Sequence, residues 1–95
     1  MTTLHIVRQS AYSTNDFAQC IQVLSDADII VFTDDGCYNV THPCTQKVSK
    51  DVKLMIISDH ATARAIDIND TLVTTITMSD LVELTFQADR VITWQ

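Results

Sequence analysis

The three thiols, Cys20, Cys37 and Cys44, are the least common chemistry in this chain. A cysteine attacks or carries sulfur as a thiolate, so its surroundings decide its value. Cys37 follows Gly36 at the expected carboxyl end of a strand. Helix amides starting there would favour the thiolate, while Asp34 and Asp35 would oppose it by like-charge repulsion. Cys20 falls in mid-helix beside an apolar stripe, where nothing local activates it, and Cys44 follows Pro43 in a polar loop. Local physics therefore favours Cys37. The competing reading for all three is packing or an incidental surface thiol, because cysteine is among the most buried residue types.

Other residue groups carry weaker signals. Cys37, His42 and Cys44 place three soft ligands within eight residues, and His60 or Cys20 would complete a zinc site. Their Cys-x4-His-x-Cys spacing matches no strong zinc pattern. Ser58-Asp59-His60 contains the residue types of a hydrolytic triad, but neighbours on a helix do not face one another, and no Gly-x-Ser-x-Gly elbow exists. A helix cap followed by exposed polar residues is the favoured reading. Asp34 and Asp35 suggest a magnesium pocket or, with no convincingly placed Lys and Thr partners, a polar turn. His5 alternates with Leu4 and Ile6 on a strand, as a hydrogen-bonded sheet histidine or, secondarily, a proton-transfer group. Asn39-Val40-Thr41 is formally a glycosylation sequon.

Composition bounds what these groups can serve. Ninety-five residues make one domain, 1–95, able to bury roughly 64% of its extended-chain surface. A single glycine excludes a dinucleotide fingerprint or a P-loop. Six Lys and Arg against twelve Asp and Glu give a net charge of -6, and only Lys47, Lys50 and Lys53 cluster, so direct binding of nucleic acid or of an acidic membrane is disfavoured. No apolar run approaches a spanning helix, and Met1–His5 has no basic region before an apolar stretch. The expected compartment is the cytoplasm, with reduced thiols; the odd cysteine count and the lack of Cys-x-x-Cys argue against a disulfide framework.

The elements that must position these residues alternate in type. Strands are expected at Leu4–Val7, Asp28–Phe32, Lys53–Ile57, Leu72–Met78 and Val91–Trp94. Helices are expected after Ser13–Asp16, with Phe17, Ile21 and Leu24 on one face, from Ser58 to about Ala65, and over Asp80–Gln87. A short helix around Thr45–Lys50 is compatible with the least regular stretch, 37–52. Gly36 is the natural place for a positive φ or a tight backbone approach. Strand-helix alternation implies right-handed crossovers, about five mostly parallel strands and helices on both faces. Function in such sheets gathers at the carboxyl ends of strands, here after Val7, Phe32 and Ile57.

Several landmarks then stand in order: Leu4-His5-Ile6-Val7-Arg8-Gln9-Ser10-Ala11-Tyr12, an apolar strand running to Asp35-Gly36, Ser79-Asp80-Leu81-Val82-Glu83-Leu84-Thr85, and a late Trp94. This ordered set resembles the DsrH/TusB family of small sulfur-relay subunits over essentially the whole chain. Ala11 stands where the family usually has Pro, and Leu81 or Val82 where it often has an aromatic; neither touches chemistry. The resemblance implies a flavodoxin-like (DsrEFH-like) three-layer α/β sandwich and an obligate heterohexamer with TusC/DsrF-like and TusD/DsrE-like subunits.

In the Tus branch such a complex passes persulfide sulfur, received through a small carrier protein, toward 2-thiolation of wobble uridine in tRNA. In the Dsr branch it serves sulfur oxidation. The tRNA role is favoured as the more widespread one. The resemblance points to Cys20, matching a cysteine that some members carry in the first helix, as candidate persulfide carrier. Cys37 is the weaker alternative, and neither it nor Cys44 has a family counterpart. The implied step is thiolate attack on a donor persulfide, giving Cys-S-SH without metal or organic cofactor. The chain itself would be structural or an auxiliary carrier within a sulfurtransferase complex, with tRNA bound by a downstream enzyme. The runner-up is a small thiol- or metal-binding module using Cys37, His42 and Cys44. Tyr12, Tyr38 and Trp94 are the candidate exposed apolar contacts with partners.

Overall fold

The computed structural model describes residues 2–66 and 73–94. Along the chain run β1 (Thr3–Val7), α1 (Asp16–Gln22), β2 (Ile29–Phe32), two 3-10 helices (Asp34–Thr41 and Pro43–Lys47), β3 (Lys53–Ile57), α2 (Ser58–Ala63), β4 (Thr74–Ile76), α3 (Met78–Gln87) and β5 (Arg90–Trp94). The strands form one five-stranded sheet in the order β4-β3-β2-β1-β5. Every pairing is parallel, with Leu4 opposite Ile29 and Val91, Ile30 opposite Leu54, and Ile56 opposite Thr75. Among the described residues no helix is long and apolar enough to cross a membrane.

The period-two alternation of each strand sorts its side chains between two layers. Val7, Ile30, Phe32 and Ile56 meet Phe17 and Cys20 of α1, Cys37 of the first 3-10 helix and Ala61 of α2. Phe17 stands edge-on to Phe32 at 5.3 Å between ring centroids. Leu4, Val31 and Ile57 meet Leu81 of α3 on the other face. β2 is the middle strand and has helices over both faces, which is why Ile29–Phe32 is apolar without interruption. The chain steps outward from β1 through β2 and β3 to β4, then returns past the whole sheet to β5. Reversing direction with the same right-handed crossover carries α3 to the opposite face.

Several boundaries differ from those read in the sequence. Strand β3 falls where expected, but β4 is only Thr74–Ile76, because Thr77 caps α3: its side chain accepts from the Asp80 N–H at 3.1 Å, and Asp80 Oδ2 accepts from the Thr77 N–H at 3.0 Å. Leu72 of the expected strand lies outside the described residues. Ser58 is not a cap but the first residue of α2; β3 runs directly into the helix with Ile57 at the cap position. That helix stops at Ala63, and Ala65 has φ 54°. The stretch 34–47 forms two 3-10 helices instead of one later helix, with Pro43 at the start of the second and His42 Nδ1 accepting from the Cys44 N–H at 3.0 Å. The first 3-10 helix starts at Asp34, so Cys37 lies inside it and not at its amino end.

Candidate functional site

The segments that follow β1, β2 and β3 converge at the carboxyl end of the sheet. Gly36 N–H donates to Arg8 O at 3.0 Å and to Thr33 O at 2.8 Å. A Cβ at Gly36 would stand 2.0 Å from Val7 O, so only glycine lets the first 3-10 helix lie this close to β1. Gly36 does not use a positive φ; Asp34 does, at 48°. Arg8 Nε donates to Asp34 Oδ2 at 3.1 Å, Arg64 Nε donates to Asp35 Oδ1 at 3.0 Å, and His60 Nδ1 accepts from the Asp34 N–H at 3.0 Å. His60 thus serves the turn, its Nδ1 already taken by the Asp34 N–H. The Asp35 hydrogen bond raises the already high Arg64 pKa. The fully buried Asn39 clamps the neighbouring loop, accepting from the Ala11 N–H at 2.7 Å and donating to Gln9 O at 3.2 Å. A sugar-accepting side chain must reach solvent, so the sequon has no accessible asparagine.

Two of the three thiols are fully buried. Cys37 is fully buried with its Sγ 3.7 Å from Phe32 O, and burial pushes its pKa up to about 11; Arg64 opposes the rise, and Asp34 and Asp35 add to it. Cys20 faces the core beside Phe17, also fully buried, and burial, reinforced by the Asp28 charge, pushes it up to about 12. Both side chains are neutral thiols at neutral pH in this fold. Cys44 is partly exposed and packs at the edge of the same cluster. His42 accepts from the Cys44 N–H and His60 from the Asp34 N–H, each through Nδ1. Among the described residues no group of three His, Cys, Asp or Glu is arranged to hold a metal ion.

A second polar cluster sits inside the sheet. His5 Nε2 lies 3.0 Å from Asp28 Oδ2, and Trp94 Nε1 donates to His5 Nδ1 at 3.1 Å. An indole N–H can only donate, so Nδ1 accepts and Nε2 carries the proton given to Asp28. Asp28 also accepts from the Thr3 N–H and the Ser25 N–H, each at 3.1 Å. Burial opposes its charge, but these hydrogen bonds outweigh it and hold the carboxyl below its usual range. The sequence placed Asp28 in a strand and Trp94 on the surface. Asp28 instead precedes β2, and Trp94 is partly buried, stacked on His5 at 6.3 Å. Asn39 and Arg64 were also missed. An Asp abutting an apolar run is the local sign that could have marked Asp28; Asn39 carries no such sign.

The arrangement ties β1, β2 and β5 together and leaves Cys20 and Cys37 fully buried. A family model described as DsrH like protein matches residues 9–91, leaving the Leu4-His5 opening and Trp94 just outside its bounds. No curated protein sequence matches the chain. The fold is similar to the crystal structure of the ychN protein from E. coli, with a TM-score of 0.80, 14% identity, and coverage of 99% of this chain and 100% of that one. It is also similar to the solution structure of protein Tm0979 from Thermotoga maritima, with a TM-score of 0.69, 21% identity, and coverage of 90% and 92%. At such identities the two structures bear on the fold alone, and the family rests on the match across 9–91: this chain belongs to the DsrH-like family of DsrEFH-type sulfur-relay proteins.

Proposed function

We propose that the chain is a subunit of a cytoplasmic TusBCD- or DsrEFH-like complex that passes persulfide sulfur toward 2-thiolation of wobble uridine in tRNA. Its partners are TusC/DsrF-like and TusD/DsrE-like subunits in a heterohexamer, with a small carrier protein delivering sulfur to the complex. The match to the DsrH family across residues 9–91 is the observation that carries this reading. Within the complex the chain acts as a structural subunit. Sulfur on Cys20, or less readily on Cys37, requires the covering helix to open, because each thiol is fully buried.

The test is the 2-thiouridine content of tRNA in a strain deleted for this chain. Deletion is expected to lower 2-thiouridine, and both the parent chain and Cys20→Ser are expected to restore it. Unchanged 2-thiouridine in the deletion strain would remove the tRNA role. Failure of a folded Cys20→Ser protein to restore it would make Cys20 the carrier.

A further inference from the structure

Helix α3 is apolar on two sides and uses one of them. Leu81 and Leu84 pack on Leu4, Val31 and Ile57 of the sheet. Met78, Val82 and Phe86, at i, i+4 and i+8, form a second stripe that faces solvent, exposed by 46%, 51% and 84%. The contrast with Phe17 and Phe32, both fully buried, makes Phe86 the outlier among the phenylalanines. Val91, opposite Leu4 in the sheet and so on the α3 side, is exposed by 41%. Five of the ten residues of α3 are apolar, yet among the described residues Leu81 alone of them is buried; an exposed apolar stripe of this kind marks a contact surface.

Charge indicates what covers the other. Glu83 stands one turn before Phe86, Asp80 and Asp89 flank the helix, and Arg90 is the only cation in 77–91. The chain as a whole carries -6. Two copies meeting through this stripe by a two-fold axis would bring these acidic flanks together, because such an interface places the same patch on both sides. We infer that the Met78–Val82–Phe86 stripe of α3 is the docking face for a different polypeptide, one whose contact surface is apolar at its centre and rimmed by lysine or arginine. This deepens, and rests on, the reading of the chain as a subunit of a complex.

The test titrates the purified full chain with the DsrE-type and DsrF-type chains of the same genome. Phe86→Ser and Val82→Ser are compared with Val23→Ser, an exposed apolar position on the opposite side of the sheet, and all variants are checked for parental circular dichroism. The parent is expected to bind, Phe86→Ser to weaken binding about tenfold or more, and Val23→Ser to bind as the parent does. Glu83→Lys is expected to weaken binding, and added salt to weaken the parent's. If Phe86→Ser and Val82→Ser bind as tightly as the parent, the stripe is not the docking face, although the subunit reading survives. If Glu83→Lys binds more tightly, the basic rim is wrong. If the parent binds neither chain, the subunit reading fails and this inference with it. Sedimentation of the chain alone supplies the remaining outcome: a dimer lost in Phe86→Ser would mean that a second copy covers the stripe, overturning the inference.

Discussion

A thiol that moves sulfur must meet its donor and shed its proton, and burial withholds both conditions from Cys20 and Cys37. Their pKa values, about 12 and about 11, lie above the 9.0 of an exposed thiol. Below pH 9 the native and unfolded states both keep these protons. Above it the unfolded chain loses protons that the native chain retains, so stability falls, by up to about 1.4 kcal/mol per pH unit for each thiol. The fall ends for Cys37 near pH 11 and for Cys20 near pH 12. Urea midpoints measured from pH 8 to 10.5 are expected to drop more steeply in the parent than in a Cys20→Ala, Cys37→Ala double variant. Native alkylation at pH 8, counted by mass spectrometry, should modify the partly exposed Cys44 first and reach the other two only in urea. Equal rates at Cys20 and Cys44 would show that α1 opens readily, which is the motion a carrier role for Cys20 needs. The sequence offered both buried thiols as candidates because helix phase and strand ends are readable while depth is not. Cys20 borders the Phe17, Ile21, Leu24 stripe on paper, and only the sheet beneath α1 turns it fully inward.

At the scale of elements, local pattern and tertiary contact divided the work. β1, β2, β3 and β5 were legible because apolar, β-branched runs have few alternatives in a covered parallel sheet. The segment 34–47 was not, because its 3-10 turns are set by what they touch: Gly36 against the Val7 carbonyl and Asn39 against the loop 9–11. Of the two roles open to Gly36, close approach is realised, and the positive φ falls on Asp34. The cap at Thr77 was missed because a neighbouring Ser79-Asp80 pair imitated a helix start. Asn39 is thus the side chain that couples the first 3-10 helix to the β1–α1 loop. Asn39→Ala would leave the Ala11 N–H and Gln9 carbonyl without their partner and open a small void, a loss of about 2–3 kcal/mol. Hydrogen exchange is expected to speed up most at Ala11, with β3 little changed. Uniform acceleration across the sheet would instead place Asn39 in the global core, and no acceleration at Ala11 would show that the clamp is redundant.

At the scale of the molecule, the sheet is covered unequally. Among the described residues one face carries α1, α2 and both 3-10 helices; the other carries α3, of whose residues Leu81 alone is buried. A 95-residue chain has a small core to begin with, and if the exposed Met78–Val82–Phe86 stripe docks as inferred, part of its apolar burial comes from another chain. Its stability should therefore depend on assembly. A partner that binds only the folded chain and is present at about a hundred times its dissociation constant adds about 2.7 kcal/mol. For a domain of this size each kcal/mol moves the melting temperature by roughly 4–8 °C. Mixing the chain with the proposed DsrE-type and DsrF-type partners should therefore raise its unfolding midpoint by roughly 10–20 °C. Trp94 is the single tryptophan here, and its hydrogen bond to buried His5 makes its fluorescence a reporter of β5 leaving the sheet. With tryptophan-free versions of the partners, the signal isolates this subunit. The rise should grow with partner concentration, as mass action requires, and should shrink for Phe86→Ser. A midpoint indifferent to the partners would mean that this sheet is complete on its own and that the uncovered face of α3 belongs to a free-standing protein.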